Sequence, residues 1–484
     1  MTSNDPKSVE NLSKAGTVSH ESLEPTPGST RELLTVAIPL ILSAGSLSIM
    51  NVIDRILLTW HSSEALAAAL PAGVLHWTVM SIAIGTAMYA NTFVAQYDGA
   101  GKPERVVAAI WQGIYLSLIA SVLLLTLIPF GNWIFEWAGH DPAVRQLEID
   151  YFTVLSSGSL AFVLTGVLSS FYSGRRRTMV VLWVNLVSVL VNATLDYALI
   201  FGWSTFPEMG IRGAALATVI ARVVAALCYI TIMLWGSERS AYDFMKHRGF
   251  DKALFARLLK FGVPSGFHFF VDIAGFSVFV LLIGDIGKEE LAATSLAFNL
   301  NTLAFIPLLG MGTAVMTLVG NRVGEGRPEL AIKTTWTAFK LSAAWMLGFA
   351  VIYLVAPDLI LSPYANRQDP EQFEAIRNQV VVLLRFVAAY CFFDAMAVVF
   401  SNAVRGAGDT KFPMLLSFLS CWLIMVLPTW IYTKHYGGSL TFSWSACTAY
   451  ITFIGFGMML RFQGGQWKSM KVIEDEIASD IAVD

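Results

Sequence analysis

The chain repeats part of its own sequence at a spacing of 225 residues. The segment around Gly99 reads FVAQYDGAGKPERVVAAIW, and the segment around Gly324 reads LVGNRVGEGRPELAIKTTW. The same spacing joins further identical residues: Pro39 and Pro264, Gly101 and Gly326, Pro103 and Pro328, Glu104 and Glu329, and Trp111 and Trp336. Because these matches keep their order, we predict two homologous halves. Internal duplication is typical of carriers that build a site between two similar halves.

Composition indicates a protein that lies within a lipid bilayer. Hydrophobic residues make up 55% of the chain, charged residues only 14%, and the mean hydropathy is +0.61. These values differ strongly from those of soluble globular proteins. We therefore expect the lipid bilayer as a partner and no nucleic acid. The cysteines lie in or near apolar runs without metal-ligand spacing, so we expect them to be packing residues: Cys228, Cys391, Cys421 and Cys447.

Apolar runs long enough to cross a bilayer recur along the whole chain. A span needs about 20 apolar residues. Such runs lie at 34–60, 66–95, 105–130, 150–172, 179–202, 212–236, 259–284, 290–320, 331–356, 378–403, 412–434 and 441–461. Six spans in each half give both halves the same orientation, which makes the repeat parallel. We predict an all-α integral membrane protein with about twelve transmembrane helices in two six-helix lobes.

Polar segments divide the chain and orient it. We predict a disordered tail at 1–31, lobes at 32–236 and 259–461, a linker at 237–258 and a second tail at 462–484. Lysine and arginine concentrate in the loops on the side of the N-terminal tail, in the linker and in loops that contain Lys102, Arg105, Arg175, Arg176, Arg177, Arg322, Arg327, Arg405 and Lys411. By the positive-inside rule, both tails and the linker are predicted to be cytoplasmic.

Two aspartates of the first half lie inside predicted spans, where insertion of a carboxylate costs about 2.5–3.5 kcal/mol. Asp54 in MNVIDRILL and Asp196 in VNATLDYALIFG each lie about six residues before the outer end of a span, which places them at similar depth. Asn192 shares a helix face with Asp196, and Thr218 lies at a comparable depth on the next span. Carboxylate, amide and hydroxyl oxygens at one depth resemble a site for a hard cation such as Na⁺, or for a proton.

A purely structural interpretation competes with this one. Asp54 could pair with its neighbour Arg55, and Asp196 could bond within the bundle. Adjacent helical residues point about 100° apart, so the Asp54–Arg55 pair is poorly arranged. Arg222 and Arg385 also lie inside spans, and we predict that they are partners of the buried acids.

The second half carries its own pair of in-span acids. Asp272 in GFHFFVDIAGF and Asp394 in YCFFDAMAVVF lie near the middle of their spans, and His268 precedes Asp272 by one helical turn. Aromatic residues flank both acids, among them Phe269, Tyr390 and Phe393. A carboxylate walled by aromatic rings suits a bulky organic cation or a second coupling cation. The alternative is that these rings are ordinary packing residues.

Taken in order, several motifs resemble the MATE (multidrug and toxin extrusion) family from about residue 32 to 461. They are IPLIL and VIDRILL, the GAGKPER and GEGRPEL loops, NATLDYALIFG followed by MGIRGAALATVIAR, LLKFGVPSGFHFFVD, and FFDAMAVVFSNAVRGAGDTKF. The resemblance implies that the two six-helix lobes form a V around a central cavity that opens to alternate sides. It also implies location in a bacterial inner membrane.

The resemblance implies roles for individual residues. The first-helix acid of the family falls on Asp54, and its Asn-x-x-x-Asp pair falls on Asn192 and Asp196. The sixth-helix hydroxyl falls on Thr218, although the loop WSTFPEMGI leaves this alignment open. The acids of the seventh and tenth helices fall on Asp272 and Asp394. Acids in both lobes resemble the NorM-like branch, which often has glutamate where this chain has Asp272.

The implied function is secondary active efflux, in which external Na⁺ or H⁺ is exchanged for cytoplasmic organic cations and drugs. We expect a monomer without a cofactor other than the coupling ion. A lipid-linked oligosaccharide flippase of the same wider superfamily is the alternative, but it requires a basic cavity for pyrophosphate, whereas the in-span charges here are mainly acidic. We find no P-loop, His-rich metal motif or Ser/His/Asp cluster, so we expect neither an enzyme nor an ATP-driven pump.

Overall fold

The structure is a computed structural model that describes residues 26–137, 141–203, 205–236, 242–365 and 370–474. Every regular element within these ranges is a helix. The helices are α1 Thr30–His61, α2 Ser63–Met88, α3 Ala90–Gly99, α4 Pro103–Leu125, α5 Ile128–Trp137, α6 Pro142–Ser157, α7 Ser159–Ser173, α8 Thr178–Phe201, α9 Ile211–Trp235, α10 Lys252–Gly284, α11 Lys288–Gly324, α12 Pro328–Val355, α13 Pro357–Ala365, α14 Pro370–Ala407, α15 Lys411–Ser420, α16 Leu427–Tyr436 and α17 Leu440–Gln463. A π-helical segment, Cys421–Val426, joins α15 to α16, and a 3₁₀ turn, Gln466–Ser469, follows α17.

The predicted all-α membrane architecture is confirmed. The described residues contain 11 helical segments long and apolar enough to cross a bilayer, and α6 with α7, which meet at an angle of 45°, make up to 12. The bend falls at Gly158, where an added Cβ atom would lie 2.5 Å from a methyl group of Val219 on α9. Close packing of α9 against this bend therefore requires glycine at position 158.

Several predicted boundaries differ from those of the helices. Helix α10 begins at Lys252, inside the predicted linker at 237–258, and α17 ends at Gln463, inside the predicted tail at 462–484. Helix α1 begins at Thr30, just inside the predicted tail at 1–31. The helices extend past the apolar runs because charged residues such as Glu32 form ion pairs at their ends, and a search for apolar runs does not detect such ends. The predicted disordered tail falls almost entirely on residues 1–25, which lie outside the described ranges.

The duplication is visible in the backbone. Gly101 and Gly326 have φ angles of 67° and 73°, a left-handed conformation that glycine adopts without strain. Each is followed two residues later by the first residue of a helix, Pro103 or Pro328, which is the helical position that proline favours. The two loops therefore form the same turn, as the repeated GKPE and GRPE sequences predict.

The two halves meet along a contact that we call the seam, formed where α1 and α3 pack against α11 and where α2 packs against α10. A Cβ atom on Gly99 would lie 3.0 Å from the Cα atom of Asn321, and one on Gly324 would lie 2.9 Å from the Cα atom of Gln96. The backbones of α3 and α11 thus touch directly, which requires residues without side chains.

Buried amide side chains fasten the seam in a two-fold related manner. Gln96 Nε2 donates to the carbonyl oxygen of Gly406 at 3.0 Å, while Asn321 Nδ2 donates to those of Ala95 at 2.7 Å and Gly174 at 3.2 Å. Gln96 and Asn321 are themselves 225 residues apart. Within the described residues, the hydrogen bonds that join the two halves lie at the end of the bundle where α1 begins. We call this end the closed end. Contact at one end is the arrangement expected of a V.

Candidate functional site

The structure brings together the four residues predicted to form a cation site in the first half. Asp54 lies on α1, Asn192 and Asp196 lie on α8, and Thr218 lies on α9. Helix α8 packs against both α1 and α9. The Asp54 carboxyl group lies next to the side chains of Asp196, Asn192 and Thr218. We call these four residues the first cluster.

The first cluster contains more buried acceptor oxygens than donors. Asn192 and Asp196 are fully buried, and Asp54 is 7% exposed. Asn192 Nδ2 donates to Thr218 Oγ1 at 3.3 Å, and Thr218 Oγ1 donates to the carbonyl oxygen of Ala214 at 3.1 Å. Asp54 Oδ1, Asn192 Oδ1 and both carboxylate oxygens of Asp196 accept no hydrogen bond from the described residues. Because unsatisfied buried oxygens are costly, these four atoms fit a bound cation or proton.

The donor set favours a hard cation over a transition metal. The described residues contain no group of three or more His, Cys, Asp or Glu residues that could hold a metal ion. The first cluster instead offers two carboxylates, an amide oxygen and a hydroxyl oxygen. Oxygen ligands of this kind suit Na⁺, and the paired carboxylates equally suit a proton.

The pairing of Asp54 with Arg55, which the structural alternative required, is not formed within the described residues. Arg55 is exposed and forms no ion pair with Asp54 within the described ranges. Arg222 does interact electrostatically with Asp54, as predicted, and its guanidinium carbon lies 5.5 Å from the ring centroid of Phe162. Arg385 is exposed and takes no part in the described interactions of the acids, so that prediction is wrong.

Tyr151 is a neighbour of the first cluster that the sequence did not reveal. It lies on α6 and interacts electrostatically with both Asp54 and Asp196. Helix α6 reaches the site because it packs against α9, which carries Thr218. The sequence does not predict this contact. The bend at Gly158 breaks the helical register, so the direction of the Tyr151 side chain cannot be inferred from the rest of its span.

The two acids of the second half interact electrostatically, and Asp272 is more exposed than the acids of the first cluster. Asp272 on α10 interacts with Asp394 on α14. The Asp272 side chain is 41% exposed, in contrast to the buried acids of the first cluster. His268 Nδ1 lies 3.4 Å from Asp272 Oδ2, as their one-turn spacing predicts. The second half therefore presents an accessible carboxyl group, which a cation larger than Na⁺ can reach.

Arg405 is the cationic neighbour of Asp272, and the sequence placed it in a loop. Because α14 continues to Ala407, Arg405 lies on the helix itself and interacts electrostatically with Asp272. Its Nη2 atom donates to Ser265 Oγ at 2.6 Å, and Tyr89 donates to its carbonyl oxygen at 2.9 Å. Arg405 thus connects the acid pair of the second half to the seam.

The aromatic residues predicted to surround these acids have different environments. Tyr390 is buried and interacts electrostatically with Asp394. Phe269 lies against α2, where a Cβ atom on Gly85 would approach the Phe269 Cβ atom to 3.2 Å. Phe393 packs against the rings of Phe392 and Phe456, with centroid distances of 5.5 and 5.3 Å. Binding of a substrate by Phe269 or Phe393 stays a prediction.

Comparison with known proteins agrees with the duplicated fold. A family model described as MatE matches residues 39–198 and 264–431. A probable multidrug resistance protein NorM of Thermotoga maritima is 26% identical over 462 residues, which cover 95% of this chain and 97% of that protein. A protein of the same description from Burkholderia pseudomallei is 29% identical over 431 residues, which cover 88% of this chain and 91% of that protein.

Solved structures share the fold at low sequence identity. The outward-facing conformation of a multidrug resistance MATE family transporter superimposes with a TM-score of 0.81 at 19% identity, covering 91% of this chain and 96% of that one. A MOP superfamily transporter from Pyrococcus furiosus gives a TM-score of 0.80 at 20% identity, with the same coverage. Because the family model matches most of both halves, the chain belongs to the MATE family of transporters.

Proposed function

We propose that the chain is a secondary active multidrug efflux transporter that exchanges external Na⁺ or H⁺ for cytoplasmic organic cations. It works as a monomer in an inner (plasma) membrane, with both termini cytoplasmic. The observation that carries the proposal is the first cluster, in which four buried oxygens of Asp54, Asn192 and Asp196 lack hydrogen-bond donors within the described residues. A cation or proton is the partner that such oxygens need, and its gradient supplies the energy for efflux.

The coupling ion acts through α1. This helix carries Asp54 near one end and Glu32 near the other, where Glu32 contacts Arg322 of the second half. Pro39 lies between them and interrupts the helical hydrogen bonds, so α1 can bend there. An ion drives transport only if it binds the two conformations with different affinity. Ion binding at Asp54 that bends α1 would also move Glu32 at the seam. The ion would therefore bind the two conformations with different affinity.

The organic cation binds near Asp272 and Asp394. We expect Asp272→Asn to weaken binding of a fluorescent organic cation such as ethidium about tenfold, because it removes one of two accessible charges. The polarisation of ethidium fluorescence, measured as purified protein is added, gives this affinity. Asp285→Asn is the control, since Asp285 is exposed and pairs with Lys434 at 3.0 Å away from both sites. Equal affinities for Asp272→Asn and the wild type would contradict this location for the substrate.

Efflux from proteoliposomes tests the whole proposal. A Na⁺ gradient and a pH gradient are imposed separately on vesicles loaded with ethidium. We expect one gradient alone to drive efflux that protein-free vesicles do not show, because a tenfold ion gradient supplies about 1.4 kcal/mol, enough to sustain a tenfold gradient of ethidium. A protein that responds to neither gradient would contradict ion-coupled export and favour the lipid-linked oligosaccharide alternative.

A further inference from the structure

The closed end contains a buried ion pair between the halves. Glu32, at the start of α1, is 7% exposed, and its Oε1 atom accepts a hydrogen bond from Arg322 at the end of α11. Arg176 of the first half lies 3.8 Å from the same oxygen. Arg322 also donates to Glu325 at 2.8 Å. An acid of the first half thus forms an ion pair with an arginine of the second half. We call this contact between Glu32 and Arg322 the first clasp.

The duplication does not reproduce this acid on the other side of the seam. The position 225 residues after Glu32 is Arg257, and the position 225 residues before Arg322 is Tyr97. A base and a phenol therefore stand where the repeat would place an acid and a base. Neither partner can supply the carboxylate that a second clasp requires.

Glu474, near the C-terminus, supplies this missing carboxylate. Its Oε2 atom accepts a hydrogen bond from the Tyr97 hydroxyl at 2.8 Å. Its Oε1 atom lies 2.6 Å from Arg105 Nη2 of the first half and 2.5 Å from Arg257 Nη1 of the second half. One carboxylate therefore joins both halves, and we call this contact the second clasp.

The charge of Glu474 is stable in this environment. Burial raises its pKa, but the hydrogen bond from Tyr97 and the guanidinium groups of Arg105 and Arg257 lower it more, so the pKa lies below its ordinary value. Glu474 is thus ionised at neutral pH. Asp251, at the start of α10, accepts from Arg105 Nη1 at 2.9 Å, so two carboxylates balance two guanidinium groups.

The segment that carries Glu474 is anchored to both halves. Trp467 is fully buried, and its ring lies parallel to that of Phe462 at a centroid distance of 5.0 Å. Val472 is also fully buried. Its N–H group donates to Gln96 Oε1 at 2.9 Å, and its carbonyl oxygen accepts from Arg257. Gln96 is the amide that fastens the seam through Gly406, so the segment contacts the seam itself.

We propose that residues 466–474 form a latch that holds the closed end shut, and that Glu474 must leave Arg105 and Arg257 before this end can open. The latch thus occupies a carboxylate-binding site at the junction of the two halves. The inference rests on the proposed function, because alternating access requires the closed end to open during transport.

A distance measurement across the seam tests the latch without measuring transport. Glu104 and Glu329 are exposed, lie on opposite halves and occupy equivalent positions of the repeat. Spin labels on Glu104→Cys and Glu329→Cys report the separation of the halves by pulsed electron paramagnetic resonance, in a background without native cysteines. We expect Glu474→Gln to raise the ratio of open to closed distances about five- to tenfold, as loss of a half-buried charged contact predicts.

Two controls make the result specific. Glu289→Gln removes an exposed acid at the start of α11, far from the closed end, and leaves the distances unchanged. The charge exchange Glu474→Arg with Arg257→Glu restores part of the closed population, whereas either substitution alone does not. Thermal unfolding confirms that each variant remains folded.

The possible outcomes separate the latch from the transport function. Distances in Glu474→Gln that match those of the wild type would overturn the latch, whether or not efflux continues. An opened seam in Glu474→Gln supports the latch. If the seam opens in this way but wild-type protein shows no ion-driven efflux, the latch stands and the proposed function fails.

Discussion

Asp54→Asn abolishes ion-driven efflux while the protein still inserts and folds. The substitution keeps the size of the side chain but removes one of the two carboxylates of the first cluster. Asp54 lies next to Asp196, Asn192 and Thr218, and Asp196 is the only other carboxylate of the cluster, so one acidic group remains after the substitution. Removal of one partner of a buried charge pair costs about 2–5 kcal/mol of binding, so we expect the coupling ion to bind, and ion-driven efflux to run, at least about thirtyfold less well.

Ethidium efflux from proteoliposomes under the effective gradient measures this loss. Arg55→Gln is the matched control, because it removes the adjacent charge from an exposed side chain and should leave the rate close to that of the wild type. Size-exclusion chromatography establishes that Asp54→Asn is folded. Efflux at the wild-type rate in well-folded Asp54→Asn protein would contradict the role of the first cluster.

Gly324→Ala also reduces transport strongly, but through the seam. A Cβ atom at this position would lie 2.9 Å from the carbonyl carbon and the Cα atom of Gln96. The atoms it meets belong to the backbone, so α3 and α11 must separate to admit it. Overpacking of this kind costs about 1–3 kcal/mol, which favours an open seam and slows efflux roughly tenfold or more.

The same substitution elsewhere in the second half serves as the control. Gly348, within α12, has no atom within 4 Å of an added Cβ atom, so Gly348→Ala should transport normally. Spin labels at positions 104 and 329 should show a larger separation in Gly324→Ala than in Gly348→Ala. Identical distances and rates in these two variants would show that the direct backbone contact has no part in closing the seam.

The sequence predicts the fold well because the bilayer restricts it so strongly. Each span must be a run of about 20 apolar residues, and the 225-residue repeat independently pairs the halves. Depth within a span can also be read from the sequence. Asp54 and Asp196 lie at equal distances from the ends of their spans, which is why their contact with Asn192 and Thr218 could be predicted.

Features outside the apolar runs could not be predicted in this way. Arg405 was assigned to a loop because the polar end of α14 continues beyond the hydrophobic run. Tyr151 was missed because the bend at Gly158 separates its register from that of the following helix. The packing of residues 466–474 depends on contacts with both halves, and nothing in the periodicity of that short segment indicates them.

The neighbours of the aromatic residues could not be predicted from the sequence. Proximity to Asp272 or Asp394 suggests that Phe269 and Phe393 wall the acids, and this stays a prediction. On a helix, however, neighbours in sequence point in different directions. Phe269 consequently lies against Gly85 of the first half, and Phe393 packs against Phe392 and Phe456.

Ion binding to the purified protein tests the central claim most directly. Equilibrium binding of radioactive Na⁺ and the uptake of protons after a drop in pH are measured in detergent for the wild type, Asp54→Asn and Arg55→Gln. We predict saturable binding of Na⁺ or of a proton to the wild type and to Arg55→Gln, and loss of that binding in Asp54→Asn. Equal binding in Asp54→Asn and the wild type would contradict the assignment of the first cluster as the coupling site.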